Sequence, residues 1–219
     1  QADLARKAGI EGFCYYHYWF GNGNQLIQRP FEQVVNSGKP DFPFCVAWAN
    51  HSWYKKTWDP NAKGKNILLM EQTYPGDEDY INHFNYLLPA FKDPRYIKVN
   101  GKLFFLIYDG MKFQDVTHFM DLWRNLAKEN GLNDFYFVTS DDSRNKKTLL
   151  SKGFDAIHNV DTMNIHHHLS LFKKVSLMIG RKYLKRPTVF KYKDAMNYMI
   201  PEDCRNRGVI PVIAPNWDH

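Results

Sequence analysis

The chain has 219 residues, 44% hydrophobic and 16% aromatic, with a formal net charge of +6. That suits one domain with a large core, and no apolar run approaches the ~18 residues that a membrane-spanning helix needs. The basic residues are scattered apart from a stretch near Lys173 to Arg186, and no nucleic-acid motif accompanies them, so nucleic acid is not an expected partner.

The opening Gln1-Ala2-Asp3-Leu4 has no initiator Met and no signal-peptide pattern, and reads as a helix inside a longer sequence. Apolar and aromatic runs over 12–19, 43–49, 103–108, 135–140, 154–159 and 209–214 predict six strands. They are almost continuously apolar, as parallel strands covered on both faces should be. Helical patterns over 27–37, 77–91, 114–130, 146–151 and 191–199 fall between them, and Gly38 and Gly131 stand where helix C-caps are expected. The three cysteines, Cys14, Cys45 and Cys204, are an odd count, two of them in strand-like runs. They read as reduced and buried, which favours a cytoplasmic setting.

Repeated strand–helix units imply a parallel sheet, either a (β/α)8 TIM-type barrel or a doubly wound sheet. No glycine-rich phosphate loop follows the first strand, and polar or aromatic residues recur at almost every strand's C-terminal end, as at a barrel mouth. A barrel needs eight strands, so about six of eight are expected here, with one unit missing from each end.

The first strand ends in Tyr16-His17-Tyr18-Trp19-Phe20. The second ends in Trp48-Ala49-Asn50-His51-Ser52-Trp53, with Trp58 and Asp59 soon after. Later ends bring Tyr108-Asp109, Ser140-Asp141-Asp142, His158-Asn159 with Asp161, and Asn216-Trp217-Asp218-His219. Trp, Tyr, His, Asn and Asp at one mouth suit a carbohydrate, since aromatic faces cover a pyranose while amides and carboxylates meet its hydroxyls. Tyr15 and Phe44 read as core, whereas Trp19, Trp48 and Trp53 are flanked by polar residues and divide evenly between core and site. Asp141 and Asp142 are catalytic candidates, although neighbours on an extended chain point apart. His166-His167-His168 cannot easily share one ion, and no metal or cofactor is expected. The stretch from Leu169 to Arg186 carries Leu171, Phe172, Val175, Met178 and Ile179 at helical spacing among six basic residues. It reads first as a surface helix and second as a peripheral membrane or lipid-linked glycan contact.

The runs Tyr16–Phe20, Arg29-Pro30, 43–50, Glu71-Gln72, 93–102, Ile107-Tyr108 and 215–218 together resemble the WbsX-type glycosyltransferase family, which is related to glycoside hydrolase family 99 and its endo-α-mannosidases. The matches run from Gly9 to Asp218. The resemblance implies a (β/α)8 barrel acting on oligosaccharide or polysaccharide, typically in bacterial surface (O-antigen, capsule or exopolysaccharide) biosynthesis. Placed at or just past strand ends, Tyr18, Trp48, Asn50, His51 and Trp53 are expected to border one substrate pocket, with Trp19, Gln72, Tyr108, Trp217 and Asp218 as further contacts at the same mouth. The resemblance also implies that the barrel is truncated at both ends, with a catalytic carboxylate pair beyond His219, so that these residues alone are inactive. Relatives usually carry Glu where this chain has His51, which replaces an acceptor by a titrating donor or acceptor. A glycoside hydrolase and a non-catalytic sugar-binding barrel are the rival readings.

Overall fold

A computed structural model describes residues 1–55, 67–141, 143–160, 169–189, 192–196 and 208–213. Six parallel strands carry the architecture: β1 (Phe13–His17), β2 (Phe44–Trp48), β6 (Lys102–Ile107), β7 (Phe135–Asp141), β8 (Ala156–Asn159) and β9 (Val209–Ile210). They lie side by side in chain order, and β5 (Lys98–Val99) adds an antiparallel seventh strand against β6. A doubly wound sheet reverses its order at a switch point. This one does not, so it is compatible with a barrel-like α/β fold, and β1 and β9 are its edges among the described residues. All six expected strands are present: β1, β2, β8 and β9 are at least two residues shorter than their apolar runs, β6 matches its run in length, and β7 extends one residue beyond it.

The helices are α1 (Ala2–Lys7), α2 (Arg29–Ser37), α3 (Asp77–Phe91), α4 (Val116–Glu129), α5 (Lys146–Ser151), α6 (Leu171–Tyr183) and α7 (Tyr192–Met196). Val116, Phe119, Met120, Trp123 and Ala127 of α4 recur at helical spacing, and all five are buried. Asp77, Glu78 and Asp79 put negative charge in the first turn of α3, where the helix dipole favours it. Gly38 follows α2 in the left-handed conformation, as expected of a C-cap.

Strand parity sorts the core into two layers. Phe44, Val46, Trp48, Phe105, Ile107, Phe135, Phe137 and Ile157 pack with α3 and α4 in an aromatic-rich outer layer. Ala47, Leu106, Val138 and Ala156 form a smaller inner layer with Phe104, Tyr136 and Ile210. Cys45 is buried, but Cys14, its register partner on β1, which is an edge strand among the described residues, is exposed. That corrects the expectation of burial for Cys14.

The run 93–102, one of those that carry the family resemblance, is scaffolding. The Arg95 guanidinium donates to both Asp93 carboxylate oxygens, at 3.0 and 2.6 Å, and to the carbonyls of Pro40 and Val34 at 2.8 and 3.0 Å. It also lies over the Phe44 ring, 5.2 Å from its centroid. Arg95 holds the Asp93 carboxyl below the usual carboxylate range. Tyr96 donates its hydroxyl to the carbonyl of Phe104, and Lys102 pairs with Asp134 at 2.7 Å. One motif thus fastens α2, β2 and β6 together.

An antiparallel arm of β3 (Trp53–Lys55) and β4 (Ile67–Met70) follows β2 and was not foreseen. Helix α6 has the expected limits to within a few residues, and none of its residues is buried.

Candidate functional site: the mouth at the strand C-terminal ends

Register places the mouth residues. Tyr16 pairs with Ala47, Ala47 with Leu106, Leu106 with Val138, and Val138 with Ala156, which is the inner layer. One step further up the inner face come Tyr18, Ala49, Tyr108, Ser140 and His158, held by Ala49 N–H to His17 O and Tyr108 N–H to Trp48 O, both at 2.9 Å. Polarity therefore changes at the top of the sheet.

The side near β1 is aromatic. Tyr16 stacks on Tyr18 with ring centroids 6.3 Å apart, and Tyr18 meets Trp53 edge-on at 5.0 Å. Trp53 is brought there by the β3–β4 arm and also touches Phe20 at 5.6 Å. The turn after Phe20 lets the strands' loops close together: Gly21 has a positive φ of 95°, and a Cβ on it would collide with Thr73. Thr73 donates both its N–H and its hydroxyl to the carbonyl of Phe20.

The middle of the mouth is polar. A cavity of about 580 Å³ is lined by His51, Ser52, Tyr54, Gln72, Tyr108 and Lys112, among others. The His51 ring lies 5.3 Å from that of Tyr108. Burial lowers the His51 pKa against the pull of Asp109, with Lys112 adding to the fall. Ser52 Oγ accepts from the Gln72 N–H at 2.9 Å, and Gln72 Oε1 is buried with no hydrogen-bond partner among the described residues. An unpaired acceptor beside a cavity is available to a ligand hydroxyl.

Three expected contacts serve the scaffold instead. Trp48 has the parity of Val46, so its ring points into the outer layer and is 1% exposed. Trp19 shares the parity of His17; it is also buried, stacked on His83 at 4.7 Å, with its indole N–H donated to Asp79. Neither ring reaches the mouth. Asn50 borders the cavity but is spent on its frame: its amide donates to Tyr74 Oη and to Asp109 O at 3.0 Å, and its Oδ1 accepts from Asp109 N at 2.7 Å. Asn50→Ala orphans that Asp109 N–H and is expected to cost about 2 kcal/mol. Urea denaturation checks this, and Asn50→Asp, which cannot donate, should also destabilise.

The carboxylates near the mouth are engaged. Asp109 pairs with Lys112 Nζ at 2.7 Å, and Asp141 accepts from Asn145 Nδ2 at 3.0 Å. Asp141 has the parity of Thr139 and is paired in register with the buried Asn159, so it does not join the inner row. Trp58, Asp59, Asp142, Asp161, the histidines 166–168, Cys204, Asn216, Trp217 and Asp218 lie outside the described residues.

Sequence reasoning missed the pairing of Ser140 with His158, whose hydroxyl and Nδ1 are 3.1 Å apart. Counting parity back from Ala156 and Val138 would have found it. It also missed a buried His17–His83 pair with Nε2 atoms 2.9 Å apart, which only the packing of α3 on β1 creates.

Parallel strands in chain order, with aromatic and hydrogen-bonding side chains gathered past their C-terminal ends, define an α/β protein with a mixed aromatic and polar mouth. The chain belongs to the glycosyltransferase WbsX family, whose model matches residues 1–219. It is similar to the uncharacterized protein WxcX of Xanthomonas campestris pv. campestris, from strains B100 and ATCC 33913, at 26% identity to each over 227 residues. Those alignments cover 100% of this chain and 30% of each relative, so the chain spans under a third of their length. No solved structure matches it.

Proposed function

We propose that this chain forms the glycan-binding mouth of a glycosyltransferase of bacterial surface polysaccharide assembly, acting on O-antigen (lipopolysaccharide), capsule or exopolysaccharide chains in the cytoplasm. The observation that carries the reading is the mouth itself. Tyr18 and Trp53 offer faces for a pyranose, while His51, Gln72 and Tyr108 offer partners for its hydroxyls. Family membership supports a glycan-related enzyme of polysaccharide biosynthesis. Because Asp109 and Asp141 are engaged, the catalytic carboxylates are proposed to come from outside the described residues.

The barrel-like sheet equally suits a glycoside hydrolase, which flanks the scissile bond with two carboxyl groups. Incubating the full-length protein with an oligosaccharide and no activated sugar donor separates the two. Transfer requires the donor, whereas release of shorter sugars without it establishes hydrolysis. Binding without either would favour a sugar-binding barrel.

We further propose that α6 rests on an anionic lipid surface and brings the mouth to lipid-linked glycans. Leu171, Phe172, Met178 and Tyr183 are exposed, and Lys173, Lys174, Arg181 and Lys182 supply positive charge with no acidic residue in the helix. No helix among the described residues is long and apolar enough to cross a membrane. Sedimentation with phosphatidylglycerol-containing vesicles is expected to carry the protein down at low salt. Phe172→Glu should abolish this, and equal sedimentation with neutral vesicles would contradict the proposal.

A further inference from the structure

We infer that Ser140 and His158 form a polar subsite for sugar hydroxyls on the inner face of the sheet, on the far side of Tyr108 from the aromatic pair Tyr18 and Trp53. The inference rests on the glycan reading proposed above and extends it to two residues from β7 and β8. Both are half-buried, paired in register, and one step above the apolar pair Val138 and Ala156. At this level the inner face also carries Ile210, in register with His158, so the polar pair sits at the upper rim of the apolar inner layer.

The geometry fixes what the pair can offer. Ser140 Oγ lies 3.1 Å from His158 Nδ1, which engages one ring nitrogen and holds the imidazole plane. Among the described residues, the other nitrogen, Nε2, has no hydrogen-bond partner. Burial lowers the His158 pKa, so the ring is neutral at neutral pH. A neutral imidazole presents Nε2 either as a donor, when the Ser hydroxyl donates to Nδ1, or as an acceptor, when Nδ1–H donates to Ser. A sugar hydroxyl satisfies either form. A carboxylate or phosphate would select only the first, which makes a neutral glycan the better match.

The test uses the full-length protein and a fixed panel of O-antigen, capsule and exopolysaccharide oligosaccharides, with the tightest binder taken forward. His158→Phe keeps a planar ring without its nitrogens and is expected to weaken binding about tenfold, the scale of one lost hydrogen bond in a desolvated site. Ser140→Ala should weaken it a few-fold, and Ser140→Thr, which keeps the hydroxyl, should restore it. In the unmodified protein, the His158 ring 15N signals should shift on adding the glycan, a readout that stands even where a variant fails to fold. Unchanged affinity in His158→Phe, or unmoved 15N signals, together with weakened binding in Trp53→Ala, overturns the subsite and leaves the mouth reading intact. No binding by any member of the panel overturns both.

Discussion

Trp48→Ala is expected to lower stability by about 3–5 kcal/mol, the usual cost of removing a fully buried large aromatic. The ring is 1% exposed and touches His83, Phe119, Phe113 and Tyr74 at centroid distances of 4.8, 5.3, 5.7 and 6.0 Å. Its indole N–H donates to the carbonyl of Trp19 at 2.9 Å, tying the loop after β1 to β2. Alanine would leave both a cavity and an unpaired carbonyl. Trp48→Phe fills most of the space and should cost less. Chemical denaturation of the variants measures both, and a Trp48→Ala protein as stable as the parent would show that the ring is not core.

The second large effect is acid sensitivity above pH 5. His17 and His83 are buried against each other, Nε2 to Nε2 at 2.9 Å, with Trp19 stacked on His83. Burial pushes the His17 pKa down to about 3, and burial followed by the charge of His17 pushes His83 well below its ordinary value. Both folded-state values lie below the unfolded value of about 6.5. The unfolded chain therefore binds protons first as pH falls. Stability from the pair is full above about 6.5 and is lost progressively toward the folded-state values. Because the unfolded histidines are half protonated at pH 6.5 and the slope approaches about 1.4 kcal/mol per unit per histidine only below it, moving from pH 6.5 to 5 should cost about 3 kcal/mol. Carboxylates such as Asp93, held low by Arg95, act only below that window. The double variant His17→Phe, His83→Leu should lose most of this slope, while retention of the full slope would place its origin elsewhere.

Much of the fold was legible because each strand is a nearly unbroken apolar run, and α3 and α5 begin and end where their patterns do. The β3–β4 arm was not. Its strands have three and four residues, too short for a periodic signal, and they pair across an intervening segment. The site was legible as a zone rather than as residues. Trp48 and Trp53 look alike in sequence, both aromatic beside polar residues. Parity sends the first into the helix layer, whereas the arm carries the second to the mouth. Asn50 looks like a sugar ligand because amides serve sugars and backbone equally well, and here the backbone of Asp109 takes it. His17 reads as a mouth residue beside Tyr18, yet one step along a strand turns it to the opposite face.

The most direct test of the mouth is a calorimetric titration of the best-bound oligosaccharide into the full-length protein and its Trp53→Ala variant. Trp53 is partly exposed and contacts Tyr18 and Phe20, so its loss should alter stability little. Loss of stacking worth about 1 kcal/mol should weaken binding about fivefold at an unchanged melting temperature. Equal affinity in the folded variant would contradict a glycan site at the C-terminal ends of these strands.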